Sequence, residues 1–199
     1  ARISAIAFGI GQYGYVGTGY NGNYQKDFYR FDPQAAAGQQ WEIVNGFGGQ
    51  KRQGGTSFVI DDKAYICCGV NNGSYVYDFW CFDPSTGVFT QLRDIADTSD
   101  DDYDDDYTSI VRANAVSFVI DGKGYLVTGE YGSLLSNYWI YDPATDLWEG
   151  EDLTAFEGSV RKNAVAFSTG TRGFVVTGQA SSSYYDDTWE LSPYEYEEE

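Results

Sequence analysis

A motif of eighteen residues occurs four times along the chain, and no other feature limits its fold as strongly. Each copy begins with Arg, has Phe six residues later and ends on Gly, and successive copies begin 50, 60 and 49 residues apart. The copies run from Arg2 to Gly19, Arg52 to Gly69, Arg112 to Gly129 and Arg161 to Gly178. A period of this length is typical of stacked units that cannot bury their apolar faces alone. We therefore predict one array over residues 1–199, with repeats 2–51, 52–111, 112–160 and 161–199.

Each repeat has the pattern of four short β-strands. In the second repeat, apolar or alternating segments lie at Thr56–Ile60, Ala64–Cys68, Phe79–Phe82 and Val88–Leu92. Asp-Pro follows the third segment in three repeats and ends it, because Pro cannot donate to a strand ladder. The first segment of the first repeat is Ile3–Phe8, and the fourth segment of the last repeat is Tyr194–Glu198. With no helical periodicity, the prediction is an all-β propeller in which each repeat forms a four-stranded blade.

The order of these signals resembles the kelch repeat over essentially the whole chain. The shared signals are an apolar strand, a turn, Tyr-x-x-x-Gly, a loop, an aromatic strand ending in Asp-Pro, and then Trp or Phe. One departure is that kelch repeats usually carry Gly-Gly after the second strand, whereas the first Gly is replaced here by Thr18, Cys68, Thr128 and Thr177. The resemblance implies a kelch-type β-propeller similar to secreted bacterial kelch proteins and to the central domain of galactose oxidase.

The number of blades is low for this family, whose propellers generally close with more than four. We expect the four blades to be part of a larger propeller or to be completed by another chain, and a closed ring of four is the alternative. Open first and last edges would also allow self-association, as in a structural subunit of an extracellular assembly.

Composition excludes several classes of function. The formal charge of −18 disfavours nucleic acid as a partner, and no apolar run approaches the roughly 20 residues of a membrane span. The chain has no His, which excludes Ser-His-Asp hydrolysis and His-ligated zinc or copper, including the copper site of galactose oxidase. The resemblance implies a secreted, periplasmic or cell-surface protein.

The three cysteines all lie in the second repeat. Cys81 is expected on the strand opposite Cys67 and Cys68, so one cross-strand disulfide is compatible with the predicted hairpin. The alternative is that all three are small buried apolar residues.

Binding candidates lie in two sets of residues on one face of the predicted propeller. The first set is one Arg per blade, which would form an anion-binding ring or would instead pair with an Asp or a backbone carbonyl of a neighbouring blade. The second set is Tyr in the loops between the second and third strands, where Tyr offers rigid contact area with a polar tip. The candidates are Arg2, Arg52, Arg112, Arg161, Tyr24, Tyr75, Tyr131 and Tyr184.

An acidic insertion distinguishes the connection between the second and third repeats. Seven Asp lie between Asp97 and Asp106, and their repulsion predicts an extended, solvated loop unless cations are bound. Asp100, Asp102 and Asp104 alternate and are the candidate calcium ligands, although the segment does not match an EF-hand. Apart from calcium, no cofactor is predicted.

The function that these observations favour is a non-catalytic extracellular module that binds a protein or a glycan through its loop face. Fold alone does not give function. The alternative that the resemblance implies is a sugar enzyme similar to the sialic-acid mutarotases, in which Glu130 or Asp186 would transfer protons.

Overall fold

The computed structural model describes residues 1–150 and 153–193, and it contains strands, turns and loops throughout these ranges. Tyr194–Glu198, the predicted fourth strand of the last repeat, lies outside the described residues. None of the described residues form a helix of the length and apolarity that crossing a lipid bilayer requires.

The first two blades are four-stranded antiparallel sheets. The first consists of β1 (Ile6–Ile10), β2 (Tyr13–Gly17), β3 (Phe28–Phe31) and β4 (Trp41–Val44). The second consists of β5 (Thr56–Ile60), β6 (Lys63–Cys67), the loop hairpin β7 (Val70–Asn71) with β8 (Ser74–Tyr75), and then β9 (Trp80–Asp83) and β10 (Val88–Gln91).

The last two blades repeat this order. The third consists of β11 (Val116–Ile120), β12 (Lys123–Val127), the hairpin β13 (Glu130–Tyr131) with β14 (Ser133–Leu134), and then β15 (Tyr138–Asp142) and β16 (Leu147–Glu149). The fourth consists of β17 (Val165–Ser168), β18 (Gly173–Val176), the hairpin β19 (Gln179–Ala180) with β20 (Ser183–Tyr184), and then β21 (Thr188–Leu191). The all-β propeller prediction is confirmed.

The blades stand side by side around a common axis, with β1, β5, β11 and β17 innermost. Gly, Ala, Ser and Thr form most of the lining of the opening between these four strands, together with Ile6, Val116 and Val165, and the opening has a volume of about 360 Å³. Adjacent inner strands are also joined by side chains: Ser117 donates to the Ser57 carbonyl at 2.9 Å, and its hydroxyl lies 2.7 Å from that of Thr56. Ala, Ser and Thr suit this position because the inner strands converge there.

Most strand ends agree with the prediction to within one residue, and two larger differences have a physical reason. The first strand starts at Ile6 instead of Ile3, because Ser4 has a left-handed φ of 50° and Ile3 pairs with Tyr20 instead. The short loop hairpins such as β13–β14 were not predicted from the sequence, since two residues per strand are too few to show an alternating pattern.

The repeated Phe fills the space between one blade and the next. Phe58 of the second blade lies over Gly124 of the third, and Phe118 of the third lies over Gly173 of the fourth, each so closely that a methyl group on the glycine would clash. We call the Phe a knob and the small residue beneath it a socket. The three buried apolar clusters each join consecutive blades, and among the described residues none joins the fourth blade to the first.

Backbone hydrogen bonds also join each blade to the next. The Gly that ends each motif donates its N–H to the carbonyl of the next blade's Arg, from Gly19 to Arg52 at 2.7 Å, Gly69 to Arg112 at 2.8 Å and Gly129 to Arg161 at 2.9 Å. Nearer the axis, a relay runs through Ser4, Gly54, Asn114 and Asn163, in which each N–H donates to the carbonyl of the preceding member. These bonds fix the register between sheets that share no strand ladder.

The structure has no disulfide between the three cysteines, and two of them match the second alternative, whereas Cys81 is half-buried. The β6–β9 register places Tyr65, not Cys67, opposite Cys81, and all three cysteines are free thiols. Cys67 and Cys68 are completely buried, so they act here as small apolar residues.

The glycine that ends each motif is expected to be hard to replace, because it combines a left-handed φ with close contact to the first residues of its own motif. Gly129 has a φ of 91°, and a Cβ there would lie 2.8 Å from the Ala113 carbonyl oxygen. We expect Gly129→Ala to lower the free energy of unfolding by about 3 kcal/mol, measured by urea denaturation. Gly132→Ala is the control, since Gly132 also has positive φ but has open space around it, and it should cost only about 1 kcal/mol. Equal costs for the two variants would contradict the idea that close contact with Ala113 restricts this position to glycine.

Candidate functional site

The motif arginines and the loop hairpins meet on one face of the propeller. The residue after each Arg pairs with the beginning of the loop that follows the second strand, as in the bridges Gln53–Val70, Ala113–Glu130 and Lys162–Gln179. The four Arg segments and the Tyr-bearing loops are therefore neighbours, blade by blade. We call this the loop face.

The four motif arginines form hydrogen bonds with other groups of the protein. Arg52, Arg112 and Arg161 have no exposed surface, and each donates to groups of its own blade and to a carbonyl at the end of the preceding repeat. Those carbonyls belong to Gln50, Ile110 and Ser159. Every one of the four donates to the carbonyl sixteen residues later, which belongs to Thr18, Cys68, Thr128 or Thr177. Those acceptor residues have left-handed φ between 59° and 65°, at the position where kelch repeats usually have Gly. Each Arg thus holds a strained strand end in place.

Three of the four arginines form an ion pair with an Asp side chain. Arg2 forms a forked pair with Asp27 at 2.6 and 2.8 Å, Arg161 forms one with Asp187 at 2.5 and 2.9 Å, and Arg52 pairs with Asp78. These Asp come from the same blade as the Arg and not from a neighbouring blade. These three guanidinium groups are thus paired within the protein, and an anion would have to compete with their Asp partners.

Arg112 has no carboxylate partner. It donates to the carbonyls of Ser109, Ile110, Thr128 and Asn137 and to the Asn137 side chain. Burial lowers the pKa of the Arg112 guanidinium to about 10, so it remains a cation at neutral pH. Asn137 here stands where the other blades have Asp27, Asp78 and Asp187, and the site relies on carbonyl dipoles.

The Arg161–Asp187 pair predicts a specific acid sensitivity. Hydrogen bonds from Arg161, aided by one from Trp189, lower the pKa of Asp187 from 3.8 to about 2. The pair therefore stabilises the fold above about pH 4, and this contribution is lost as the pH falls towards 2. We expect the stability difference between the wild type and Asp187→Asn to be constant at neutral pH and to shrink below about pH 4, as measured by urea denaturation across pH. Asp186→Asn controls for the change in net charge, and a difference that grows in acid would contradict the assignment.

The predicted loop tyrosines fall into three environments. Tyr75 and Tyr131 join the hairpins of the second and third blades, with ring centroids 4.5 Å apart, and the Gly132 N–H donates to the Tyr75 hydroxyl at 2.9 Å. Tyr24 packs edge-on against Tyr20 at 5.1 Å. Tyr184, which pairs with Gln179 in its hairpin, is 82% exposed, and Tyr131 remains 52% exposed despite its partner. Two of the four therefore present much of their ring to solvent.

A cluster of polar side chains lies beside the Tyr75–Tyr131 pair, and its contacts were not predicted from the sequence. Glu130 accepts from Lys162 at 2.7 Å and from Asn114 at 2.8 Å, so two blades are bridged by one carboxylate. Asn114 and Lys162 stand two residues and one residue after their motif Arg. Because the residues just after each motif Arg lie on the loop face, the sequence could have placed Asn114 and Lys162 there. Asp186, the other proton-transfer candidate, lies exposed in the fourth-blade loop.

The acidic insertion is folded back on itself and not extended throughout. Asp104 is buried and accepts bonds from the Thr98 and Ser99 N–H groups and from the Ser99 hydroxyl, which lower its pKa. Tyr107 is also buried, and its hydroxyl accepts a hydrogen bond from the backbone N–H of Trp148. The carboxylates that approach one another are those of Asp97, Asp104 and Asp105, whereas Asp100 and Asp102 are exposed. Calcium binding stays a prediction from the sequence.

Comparison with known proteins identifies the repeats. The family model described as Kelch motif matches residues 51–94, which include all four sheet strands of the second blade. The same blade recurs along the chain, with the same strand order in each sheet. The chain is a kelch-repeat β-propeller. No curated protein matches it in sequence.

Solved structures agree with the kelch propeller fold. In a comparison in which 179 chains match, one similar structure is that reported as "Structure of YjhT", with a TM-score of 0.71 and 18% sequence identity. The similarity covers 98% of this kelch chain and 66% of that chain, so this chain spans just under two thirds of that protein's length. At this level of identity the likeness concerns the fold alone.

Proposed function

We propose that this kelch propeller is a non-catalytic recognition module that binds a protein or glycan ligand on its loop face. Kelch propellers serve generally as binding and interaction modules, and the loops are the part of each blade that the repeat does not constrain. A location outside the cytoplasm is proposed from the family resemblance alone.

The Tyr75–Tyr131 pair is the observation that carries this proposal. The pair spans two blades, and the hydrogen bond from Gly132 fixes the Tyr75 ring, so little side-chain entropy would be lost when a ligand binds. Aromatic rings that are rigid and half exposed, with hydroxyl groups at their tips, suit both sugar faces and protein surfaces. The exposed Tyr184 extends the same surface to the fourth blade.

Alanine variants test the loop face directly. We expect Tyr131→Ala and Tyr184→Ala each to weaken binding of a ligand found on a glycan array or in an extracellular pull-down by about tenfold or more, because exposed aromatic anchors dominate such contacts. Val88→Ala is the control, since Val88 is as exposed as Tyr131 but lies beside Asp83, at the opposite end of the second blade. Binding that tolerates both Tyr changes but not the Val88 change would refute the proposed surface.

A sugar enzyme similar to the mutarotases is the second candidate, and the Glu130 cluster is the observation that favours it. Lys162 and Asn114 fix the orientation of this carboxylate at the loop face, as a proton-transfer group requires. Under the leading proposal we expect no acceleration of sialic-acid mutarotation over buffer, measured by NMR. Acceleration that is lost in Glu130→Gln and kept in Glu149→Gln, an exposed control, would favour the enzyme instead.

A further inference from the structure

The four loops that carry the candidate tyrosines contain few charged residues, although 21% of the chain is charged and its formal charge is −18. These loops are residues 20–26, 70–77, 130–136 and 179–186. Their charged residues are Lys26, Glu130 and Asp186, and every other residue in them is Tyr, Ser, Asn, Gln, Gly or aliphatic. The loop of the second blade has no charged residue at all. The loop face therefore offers a ligand mainly hydroxyl, amide and aromatic groups.

Most charges beside these loops are paired within the protein. The Lys162 ammonium lies 2.7 Å from the Glu130 carboxylate, so these two opposite charges offset each other. The Asp that follows the loop in the first, second and fourth blades forms an ion pair with the motif Arg of its own blade. Lys26 and Asp186 are exposed on the first and the fourth blade, and they have opposite signs. Neither sign of charge therefore prevails on the loop face.

The acidic residues that give the chain its formal charge of −18 are concentrated on other surfaces. The turns at the opposite end of the blades contain Asp32, Asp61, Asp62, Asp83, Asp121, Asp142 and Asp146. The acidic insertion packs along the outermost strands of the second and third blades, where the Arg93 guanidinium lies 4.6 Å from the Tyr103 ring centroid and the Trp148 N–H donates to Tyr107. The loops thus differ in charge from both of these surfaces.

We propose that the ligand of the loop face is an uncharged glycan. This inference rests on the proposed function and names the class of ligand that the same surface takes. Side chains of Asn, Gln and Ser both donate and accept hydrogen bonds, as the hydroxyl groups of a neutral sugar do. The exposed rings of Tyr131 and Tyr184 supply apolar area against which a sugar ring can pack, with a polar tip beside it.

The charge distribution separates this class from its alternatives. An acidic glycan would be repelled by the formal charge of −18, and the Lys162 cation beside Tyr131 is already paired. A cationic glycan would find the Glu130 carboxylate paired in the same way. A protein partner would bring charged side chains to loops that offer few opposite charges, and burying them unpaired would cost free energy.

The test uses a glycan array that holds neutral oligosaccharides together with charged versions of the same backbones. N-acetyllactosamine is matched with its sialylated form, and chitin oligomers are matched with chitosan oligomers, which carry amines. We expect neutral members to bind, and the charged member of each bound pair to bind about tenfold or more weakly, because its charge is desolvated without a partner. Preference for a charged member, or an array on which no neutral member binds, would overturn the proposal.

Two measurements on the bound ligand separate failure of this inference from failure of the proposed function. For an uncharged glycan on the loop face, Tyr131→Ala should weaken binding, and Kd should change less than about twofold between about 50 and 500 mM NaCl. If the ligand that Tyr131→Ala weakens is a protein or a charged glycan, the inference is overturned and recognition by the loop face stands. If neither Tyr131→Ala nor Tyr184→Ala weakens any ligand, both are overturned.

Variants of the Lys162–Glu130 pair test the charge argument itself. Glu130→Gln leaves the Lys162 cation without its partner, so it should raise the affinity for the sialylated member, relative to the neutral one, by about fivefold. Lys162→Gln leaves the Glu130 carboxylate and should shift this ratio the other way. Glu149→Gln, which makes the same change in net charge at an exposed residue of β16, should leave the ratio unchanged. The same ratio in the wild type and in both loop-face variants would overturn the proposal.

Discussion

The interface between consecutive blades is the constraint on which this structure depends. A four-stranded blade has two apolar faces and no helix to cover either, so each sheet can be buried only by another sheet. The chain meets this requirement with one device, a Phe knob over a small socket residue, as in Phe58 over Gly124 and Phe118 over Gly173. Burying each Phe contributes about 2 kcal/mol, and the backbone bond from the motif Gly to the next Arg carbonyl fixes the alignment.

The motif Arg recurs in every blade because it has the same structural role in each. Each guanidinium holds the carbonyl of a residue with left-handed φ, where Thr or Cys replaces the usual Gly. The strain of a left-handed non-glycine residue is thereby offset by charge-assisted hydrogen bonds. Arg112 reaches the same result through carbonyls and Asn137 alone. Recognition therefore depends on the loops that vary between blades, where Tyr75, Tyr131 and Tyr184 lie.

The outer faces of the first and fourth blades are similar to the faces that are buried between blades. Their exposed faces are built from the same residue types as the buried ones, and Phe167 keeps the knob position although no described blade covers it. A fold made of equivalent interfaces has no physical reason to stop at a given number of blades until the ring closes. Closure is set by the angle between sheets, and that angle arises from the twist and packing of whole blades.

The sequence by itself determined the all-β repeat, the blade order and the position of each inner strand, because these follow from a local pattern that recurs four times. It also brought the Tyr loops and the Arg segments to one face, since alternating strands must return there. Only the tertiary structure decided that three of the four arginines pair with Asp27, Asp78 and Asp187, that Cys81 faces Tyr65, and that Glu130 pairs with Lys162. Those outcomes depend on register and on contacts between residues far apart in the chain, and local patterns carry no information about either.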